Sequence, residues 1–222
     1  MSIRSKVLLA GVVAFSVVLS GCTSKVADSE HYSGFLPDYS KLRPAQSATG
    51  NPTLRWVSPD FKSADYRGIV FTPVIYYPQA APNARVSQQT LDQIRNYTDQ
   101  QLRAAVAKRK PLVSQAGPGT LVMKTAITAV AAENEGVQFY EVVPVAAVIA
   151  GTMAASGHRT QQSTLFLEVQ LIDAGSGKPV IEVVRKGIGK NVANSNTPIS
   201  FEDLKMPINA MIEDTVNFNV AQ

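Results

Sequence analysis

The stretch at residues 175–178, Gly-Ser-Gly-Lys, is the first place where residue types could support chemistry, because backbone amides of glycine-rich loops cradle phosphate groups. A phosphate-binding loop also needs a glycine five residues before Gly177 and a serine or threonine after its lysine. Ile172 and Pro179 stand at these two positions. The stretch therefore predicts a turn between two strands rather than a nucleotide site.

The histidines and the clustered carboxylates form no catalytic pattern. His31 and His158 have no ligand or acid at the spacing of a metal site or a triad, and no Gly-x-Ser-x-Gly motif occurs. Glu133, Glu135 and Glu141 fit a solvated loop better than a pair of catalytic carboxylates. One cysteine and two histidines are too few for a structural zinc site. We therefore expect no enzyme, no metal and no cofactor.

The surroundings of Cys22 predict a defined chemistry. This cysteine follows a basic start that contains Arg4 and Lys6 and an uncharged run over residues 7–19, which is the order of an export signal. As a helix, the run would span about 20 Å, short of the roughly 30 Å hydrocarbon core, so it is a poor permanent anchor. We predict that residues 1–21 form a signal peptide that is removed.

Leu19, Ser20, Gly21 and Cys22 resemble the lipobox of bacterial lipoproteins. The resemblance implies cleavage after Gly21 and a mature chain that starts at Cys22, with diacylglycerol on its sulfur and an acyl chain such as palmitate on its amine. Each buried methylene contributes about 0.8 kcal/mol, so two or three chains hold a protein on a membrane almost permanently. A free cysteine or a non-lipidated export signal is the alternative.

The residue after the predicted lipidation site bears on the destination of the protein. Lipoproteins retained at the inner membrane commonly carry Asp there, so Thr23 favours the outer membrane, with the folded part facing the periplasm. Removal of the leader takes two of the 21 basic residues, which leaves 19 against 17 acidic residues and a formal charge of +2. This small charge gives no reason to expect nucleic acid as a partner.

Residues 22–33 are mostly small, polar or charged, and they predict a flexible tether before a single domain over residues 34–222. The next segment carries Phe35, Leu36 and Tyr39 among glycine and proline, and it is too irregular for a helix or strand. We expect these side chains to pack on the domain's own core as an extended lid, with binding to a protein partner as the alternative. Residues 43–67 are expected to continue irregularly.

Ser87 and Ser200 are placed to cap two helices, and each cap is flanked by a pair of apolar residues spaced as a hydrophobic staple. Pro111 should end the first helix, and Pro207 should kink the second or begin it afresh. Dense β-branched runs and alternating apolar residues predict four strands, the last two as an antiparallel hairpin, at residues 68–77, 120–131, 163–173 and 180–188.

The order of these elements predicts an α+β two-layer sandwich, with a mixed or antiparallel sheet of about four to five strands and two main helices on one face. An uncharged segment at residues 142–155 interrupts it, and Ala147, Gly151 and Ala155 would form a small-residue face on a helix. At about 21 Å this helix could not span a bilayer. We expect it to be buried against the sheet; self-association or entry into lipid is the alternative.

The lipobox, the stretches at residues 33–42 and 56–73, and the turn at residues 173–179 together resemble a family of Gram-negative outer-membrane lipoproteins catalogued as domain-of-unknown-function family 3313. The resemblance covers nearly the full length and implies no reaction. We therefore expect a non-enzymatic, membrane-anchored lipoprotein whose periplasmic domain binds a protein partner or assembles in the cell envelope. The alternatives are a homo-oligomer built through residues 142–155 and a hydrolase or peptidoglycan-active protein.

Overall fold

A mixed β-sheet organises the computed structural model, which describes residues 32–134, 161–193 and 196–219. The seven strands of this described part are β1 Arg43–Gln46, β2 Pro52–Val57, β3 Gly68–Phe71, β4 Ile75–Tyr76, β5 Thr120–Asn134, β6 Gln161–Asp173 and β7 Pro179–Val192. Their order across the sheet is β1-β2-β7-β6-β5-β3, and β4 also pairs with β5. β3 and β4 run parallel to β5, whereas the other neighbours are antiparallel.

Two long helices, α1 Gln88–Arg109 and α2 Phe201–Val216, begin where the capping signals predict. The Ser87 hydroxyl accepts a hydrogen bond from the Thr90 backbone N–H at 3.1 Å. At the second helix, the Asp203 carboxylate accepts a hydrogen bond from the Ser200 backbone N–H at 2.8 Å. Both caps satisfy backbone groups that a helix end leaves without an intrahelical partner, which is why these boundaries can be predicted locally.

Both helices pack on one face of the sheet, as expected, and share one apolar core with it. The core residues include Leu91, Ile94, Leu102 and Val106 of α1, Leu204, Ile208 and Met211 of α2, and Leu121, Met123, Ile127, Leu165 and Leu167 of the sheet. The sheet residues alternate along β5 and β6, because successive side chains of a strand point to opposite faces. The side chains between them therefore point to the opposite face of the sheet, which we call the back face.

α2 continues through Pro207 without the restart that the sequence suggested as one outcome. Proline has no N–H to donate to the carbonyl four residues earlier, which is that of Asp203. The buried Ser163 hydroxyl of β6 lies 3.3 Å from the Asp203 carbonyl oxygen and 2.9 Å from that of Lys190. A donor from the sheet therefore stands near the carbonyl that the proline leaves unpaired.

The prediction of an irregular segment at residues 43–67 is wrong in part, since β1 and β2 form a hairpin there. This hairpin and a division of the first predicted strand raise the strand number from the expected four to five to seven. Pro44 and Pro52 hide both strands from a pattern reading, because proline is depleted in strands. β2 becomes a strand by pairing with β7, where Thr53 lies opposite Arg185. The predicted strand at residues 68–77 is likewise divided into β3 and β4, with Pro73 between them.

Candidate functional site

The aromatic segment at residues 32–42 lies on the back face of the sheet. Leu36 is 2% exposed and Tyr39 is 9% exposed, and both pack in a small apolar cluster with Leu42, Leu54 and Val184. Leu36 and Tyr39 are therefore used within the domain rather than displayed to a partner. Phe35 is half-buried, with its ring centroid 5.8 Å from that of Tyr77.

The packed segment starts earlier than the predicted domain boundary. Tyr32 and Ser33, which the sequence analysis places in the tether, are half-buried. The Tyr32 ring stacks on the Tyr39 ring with a centroid separation of 4.0 Å, and the Ser33 hydroxyl lies 3.0 Å from the Tyr39 hydroxyl. Tyr32 and Ser33 thus belong to the folded domain, because the ring of the first and the hydroxyl of the second contact Tyr39.

Tyr39 connects this segment to a carboxylate buried in the sheet. Its hydroxyl donates to Glu168 Oε2 at 2.5 Å and accepts from the Leu36 backbone N–H at 3.1 Å. A second carboxylate, Glu182, accepts a hydrogen bond from Gln170 Nε2 at 2.7 Å. Glu168 is 2% exposed and Glu182 is 1% exposed. Burial raises the pKa of Glu168 above the ordinary 4.5, although hydrogen bonds from the hydroxyls around it oppose the shift. Burial also raises the pKa of Glu182, and the hydrogen bond from Gln170 is the main effect that opposes this second shift.

We expect the protein to lose stability as the pH rises above 4.5, the ordinary pKa of a glutamate. The folded state holds the protons of Glu168 and Glu182 more tightly than the unfolded chain does, so their contribution is complete below about pH 4.5 and falls as the pH passes the raised native pKa values. Each unit of pKa difference corresponds to about 1.4 kcal/mol. Urea denaturation across this range measures the slope, which Glu168→Gln should flatten because an amide does not ionise.

Glu213→Gln is the matched control for this pH dependence, because Glu213 is exposed on α2. It should keep the wild-type slope. A Glu168→Gln variant that loses stability in parallel with wild type would show that the Glu168 proton does not contribute to the slope.

The candidate functional site is a cavity of about 510 Å³ on the face of the sheet that carries the helices. It lies between the C-terminal ends of α1 and α2 and strands β2, β3, β5, β6 and β7. Val169, Leu171 and Val183 line it from the central strands, yet they are only half-buried. Apolar side chains at the centre of a sheet are ordinarily covered, so this part of the helix-facing surface is left uncovered by α1 and α2.

Cations dominate the charge of the cavity wall. Five of the described lining residues are basic, namely Arg55, Lys108, Arg109, Lys110 and Arg185, and the one carboxylate among them is Asp214. Arg109 donates to the backbone carbonyls of Val216 at 2.7 Å and Phe218 at 2.6 Å. Arg109, at the end of α1, therefore also holds the end of α2.

Arg185 and Asp214 form a buried ion pair in this wall. Asp214 Oδ1 also accepts a hydrogen bond from the Thr49 backbone N–H at 2.7 Å. Burial lowers the pKa of Arg185 to about 10, which leaves it charged at neutral pH. Its Nε has no hydrogen-bond partner within the described structure, and a buried donor in that state is unfavourable by about 1–3 kcal/mol.

Most of the site residues predicted from the sequence lie outside the described residues, namely Gly21, Cys22, Ala147, Gly151 and Ala155. The same holds for four residues that the sequence does not assign to a site: His31, His158, Glu135 and Glu141. The turn at residues 174–178 joins β6 to β7 as predicted, with Gly177 at a positive φ of 70°.

In the described ranges, no three His, Cys, Asp or Glu side chains are grouped to hold a metal. The helices of those ranges include none with the length and apolar character to cross a membrane.

Sequence reasoning missed the cavity, because its wall combines residues that are far apart in the chain. Val169 and Val183 read as ordinary positions on the buried side of two strands, and Lys108 reads as the end of a helix. One signal was present: three consecutive basic residues, 108–110, follow the apolar stripe of α1.

Comparisons with known proteins identify a family and a relative for this chain. The family described as "Protein of unknown function (DUF3313)" matches residues 31–215. The uncharacterized lipoprotein YdcL of Escherichia coli strain K12 is 50% identical over 204 residues, which are 92% of this chain and 92% of that protein. Its description as a lipoprotein supports the interpretation of this chain as membrane-anchored.

Two solved structures show weak likenesses. PelC from Paraburkholderia phytofirmans, solved as a dodecamer, has a TM-score of 0.35 at 8% identity, covering 74% of this chain and 97% of PelC. The hypothetical protein CT253 from Chlamydia trachomatis has a TM-score of 0.39 at 11% identity, covering 69% of this chain and 99% of CT253. Both TM-scores are below 0.5, so neither likeness bears on the function of this chain. The family match and the 50% identical relative, in contrast, extend over most of the sequence, and the chain belongs to the family of proteins described as DUF3313.

Proposed function

We propose that this protein is an outer-membrane lipoprotein, anchored through an acylated Cys22, whose periplasmic domain is a binding module of the cell envelope rather than an enzyme. The lipobox and the export signal support the anchor, and Thr23 supports the outer membrane. The cavity between the helix ends and the sheet is the observation that carries the binding role. Its volume of about 510 Å³ falls in the range of roughly 300–1,000 Å³ typical of ligand sites.

The chemistry of the cavity wall favours binding over catalysis. A hydrolase needs a nucleophile with a base, or two carboxylates in different environments. The described lining residues include several hydroxyl groups but only a single carboxylate, that of Asp214. This carboxylate already pairs with Arg185 and accepts a hydrogen bond from the Thr49 N–H. The wall is otherwise apolar with a basic rim, which can hold a ligand without transforming it.

Photocrosslinking from the cavity in living cells tests this proposal. Phe61, which lines the cavity and already carries a phenyl ring, is replaced by p-benzoylphenylalanine. The cells are irradiated, and the envelope is separated into inner-membrane and outer-membrane fractions. We expect an adduct between the protein and an envelope component in the outer-membrane fraction. Cys22→Ser should abolish palmitate incorporation and remove the protein from that fraction, because the thiol is the predicted acceptor of the lipid.

Gln89, exposed at the start of α1 and outside the cavity lining, is the control position for the crosslinker. It should give no comparable adduct. Absence of any adduct from position 61 would contradict a binding role for the cavity, whereas an adduct with twice the mass of the chain would favour the homo-oligomer instead. Recovery of the wild-type protein in the inner membrane would contradict the proposed location.

A further inference from the structure

The floor of the cavity offers an apolar surface to a ligand. Val169 and Leu171 on β6 and Val183 on β7 stay half-buried although they lie in central strands of the sheet. Met123 and Ile181 extend this surface on the neighbouring strand and along β7. A flexible hydrocarbon chain would cover these side chains and remove their apolar surface from water.

The rim of the cavity offers positive charge that its own wall does not neutralise. Asp214 pairs with Arg185, so Arg55, Lys108 and Lys110 face no further carboxylate among the described lining residues. Charge complementarity therefore favours an anionic group over a neutral or cationic one.

Arg185 supplies a second, independent observation. It is 5% exposed, it lines the cavity, and its Nε lacks an acceptor within the described residues. Because this nitrogen is itself shielded from solvent, a carboxylate or phosphate oxygen in the cavity would accept from it only after the guanidinium turns toward the cavity. The wall thus contains an unmet donor in addition to an excess of cations.

The geometry points to a single-chain anionic amphiphile as the ligand of this cavity, with its hydrocarbon chain on the β6–β7 floor and its carboxylate or phosphate among the cations of the wall. This inference rests on the proposed function, since it specifies the ligand class of the same binding module. A long-chain fatty acid and a lysophospholipid with a terminal phosphate share this chemistry.

Photoaffinity labelling of the full-length lipidated protein in phosphatidylcholine vesicles tests the inference. One probe is a palmitic acid that carries a diazirine in its chain, and the matched probe is the corresponding hexadecanol. Mass spectrometry of peptides maps the labelled residues after irradiation. We expect the acid to label β6 and β7 at the cavity floor about fivefold more than the alcohol, because favourable exposed charge pairs contribute factors of up to about five.

Two variants separate the charge from the apolar surface. Lys108→Gln combined with Lys110→Gln should reduce labelling by the acid about fivefold and leave labelling by the alcohol unchanged. Val183→Phe should reduce labelling by both probes, since it fills the cavity. Lys190→Gln is the control, because Lys190 is exposed on β7 and does not line the cavity. Thermal melting of each variant shows that the fold is retained.

Unlabelled competitors distinguish the two sources of negative charge. Displacement of the acid probe by palmitate indicates a carboxylate ligand, and stronger displacement by lysophosphatidate indicates a phosphate ligand. Either result supports the inference. Displacement by neither compound, or equal labelling by acid and alcohol, overturns it.

The outcomes also separate this inference from the proposed function. If the probes leave β6 and β7 unlabelled while the crosslinker at position 61 captures a protein, the amphiphile is excluded and the binding module stands. If the crosslinker captures nothing as well, both proposals fail.

Discussion

Asp214→Ala is expected to lower the free energy of unfolding by about 3–5 kcal/mol, because it leaves a buried guanidinium without its counter-charge. Arg185 is 5% exposed and its Nε already lacks a partner in the described structure, so water cannot readily replace the lost carboxylate. The Thr49 N–H loses its acceptor in the same variant. Urea denaturation at neutral pH measures the change.

Two further variants show whether the charge is responsible. Arg185→Met combined with Asp214→Leu removes both partners, and it should recover most of the stability that Asp214→Ala loses. Asp92→Ala breaks an exposed pair, with 3.4 Å between Asp92 Oδ1 and Arg95 Nη2, and should change the stability by about 1 kcal/mol or less. Equal effects of Asp214→Ala and Asp92→Ala would mean that the buried pair contributes no more than a surface pair.

Gly189→Ala is expected to lower the free energy of unfolding by about 3 kcal/mol, because the added methyl group has no space between β7 and α2. An ideal Cβ at this position would lie 2.1 Å from the Asp203 carbonyl oxygen and 2.5 Å from the Ser163 hydroxyl. The methyl group would therefore displace α2 and separate Ser163 from the carbonyl that Pro207 leaves unpaired. Thermal and urea denaturation measure the loss.

Gly117→Ala is the matched control, since a Cβ there meets no atom within 4 Å. The stability of this variant should stay within about 1 kcal/mol of wild type, because an alanine mainly restricts the unfolded chain. A Gly189→Ala variant as stable as Gly117→Ala would show that α2 can move away from β7 at little cost. Since Met211 and Asp214 of α2 line the cavity, the close packing at Gly189 also positions one wall of the proposed binding site.

The two faces of the sheet have different roles in this protein. Residues 32–42 cover the back face and bury Glu168 and Glu182 beneath them, which is why we expect stability to depend on pH. The face that carries the helices is covered incompletely, so the cavity remains between the ends of α1 and α2. The segment next to the predicted tether thus stabilises the domain, while the opposite face is available to a ligand.

Local signals in the sequence predicted the helices and the long strands. Ser87 and Ser200 cap α1 and α2 as expected, because a cap depends on residues within one turn of the helix. The alternation of apolar residues also predicted β5 and β6 as strands. β1 and β2 escaped prediction because they contain prolines and become strands only by pairing. β2 pairs with β7, more than 120 residues away in the chain, and β1 pairs with β2.

The sequence by itself determined family membership and the predicted lipid anchor, because both reside in contiguous residues that can be read along the chain. Tertiary structure alone decided that two glutamates on neighbouring strands, β6 and β7, would be buried under residues 32–42, since that burial needs a segment about 130 residues earlier in the chain. It also decided the cavity, whose floor, basic rim and buried ion pair come from strands and helices that meet only after folding. Charged and apolar groups interact strongly only over short distances. The linear order of the residues does not specify which of these groups become neighbours after folding.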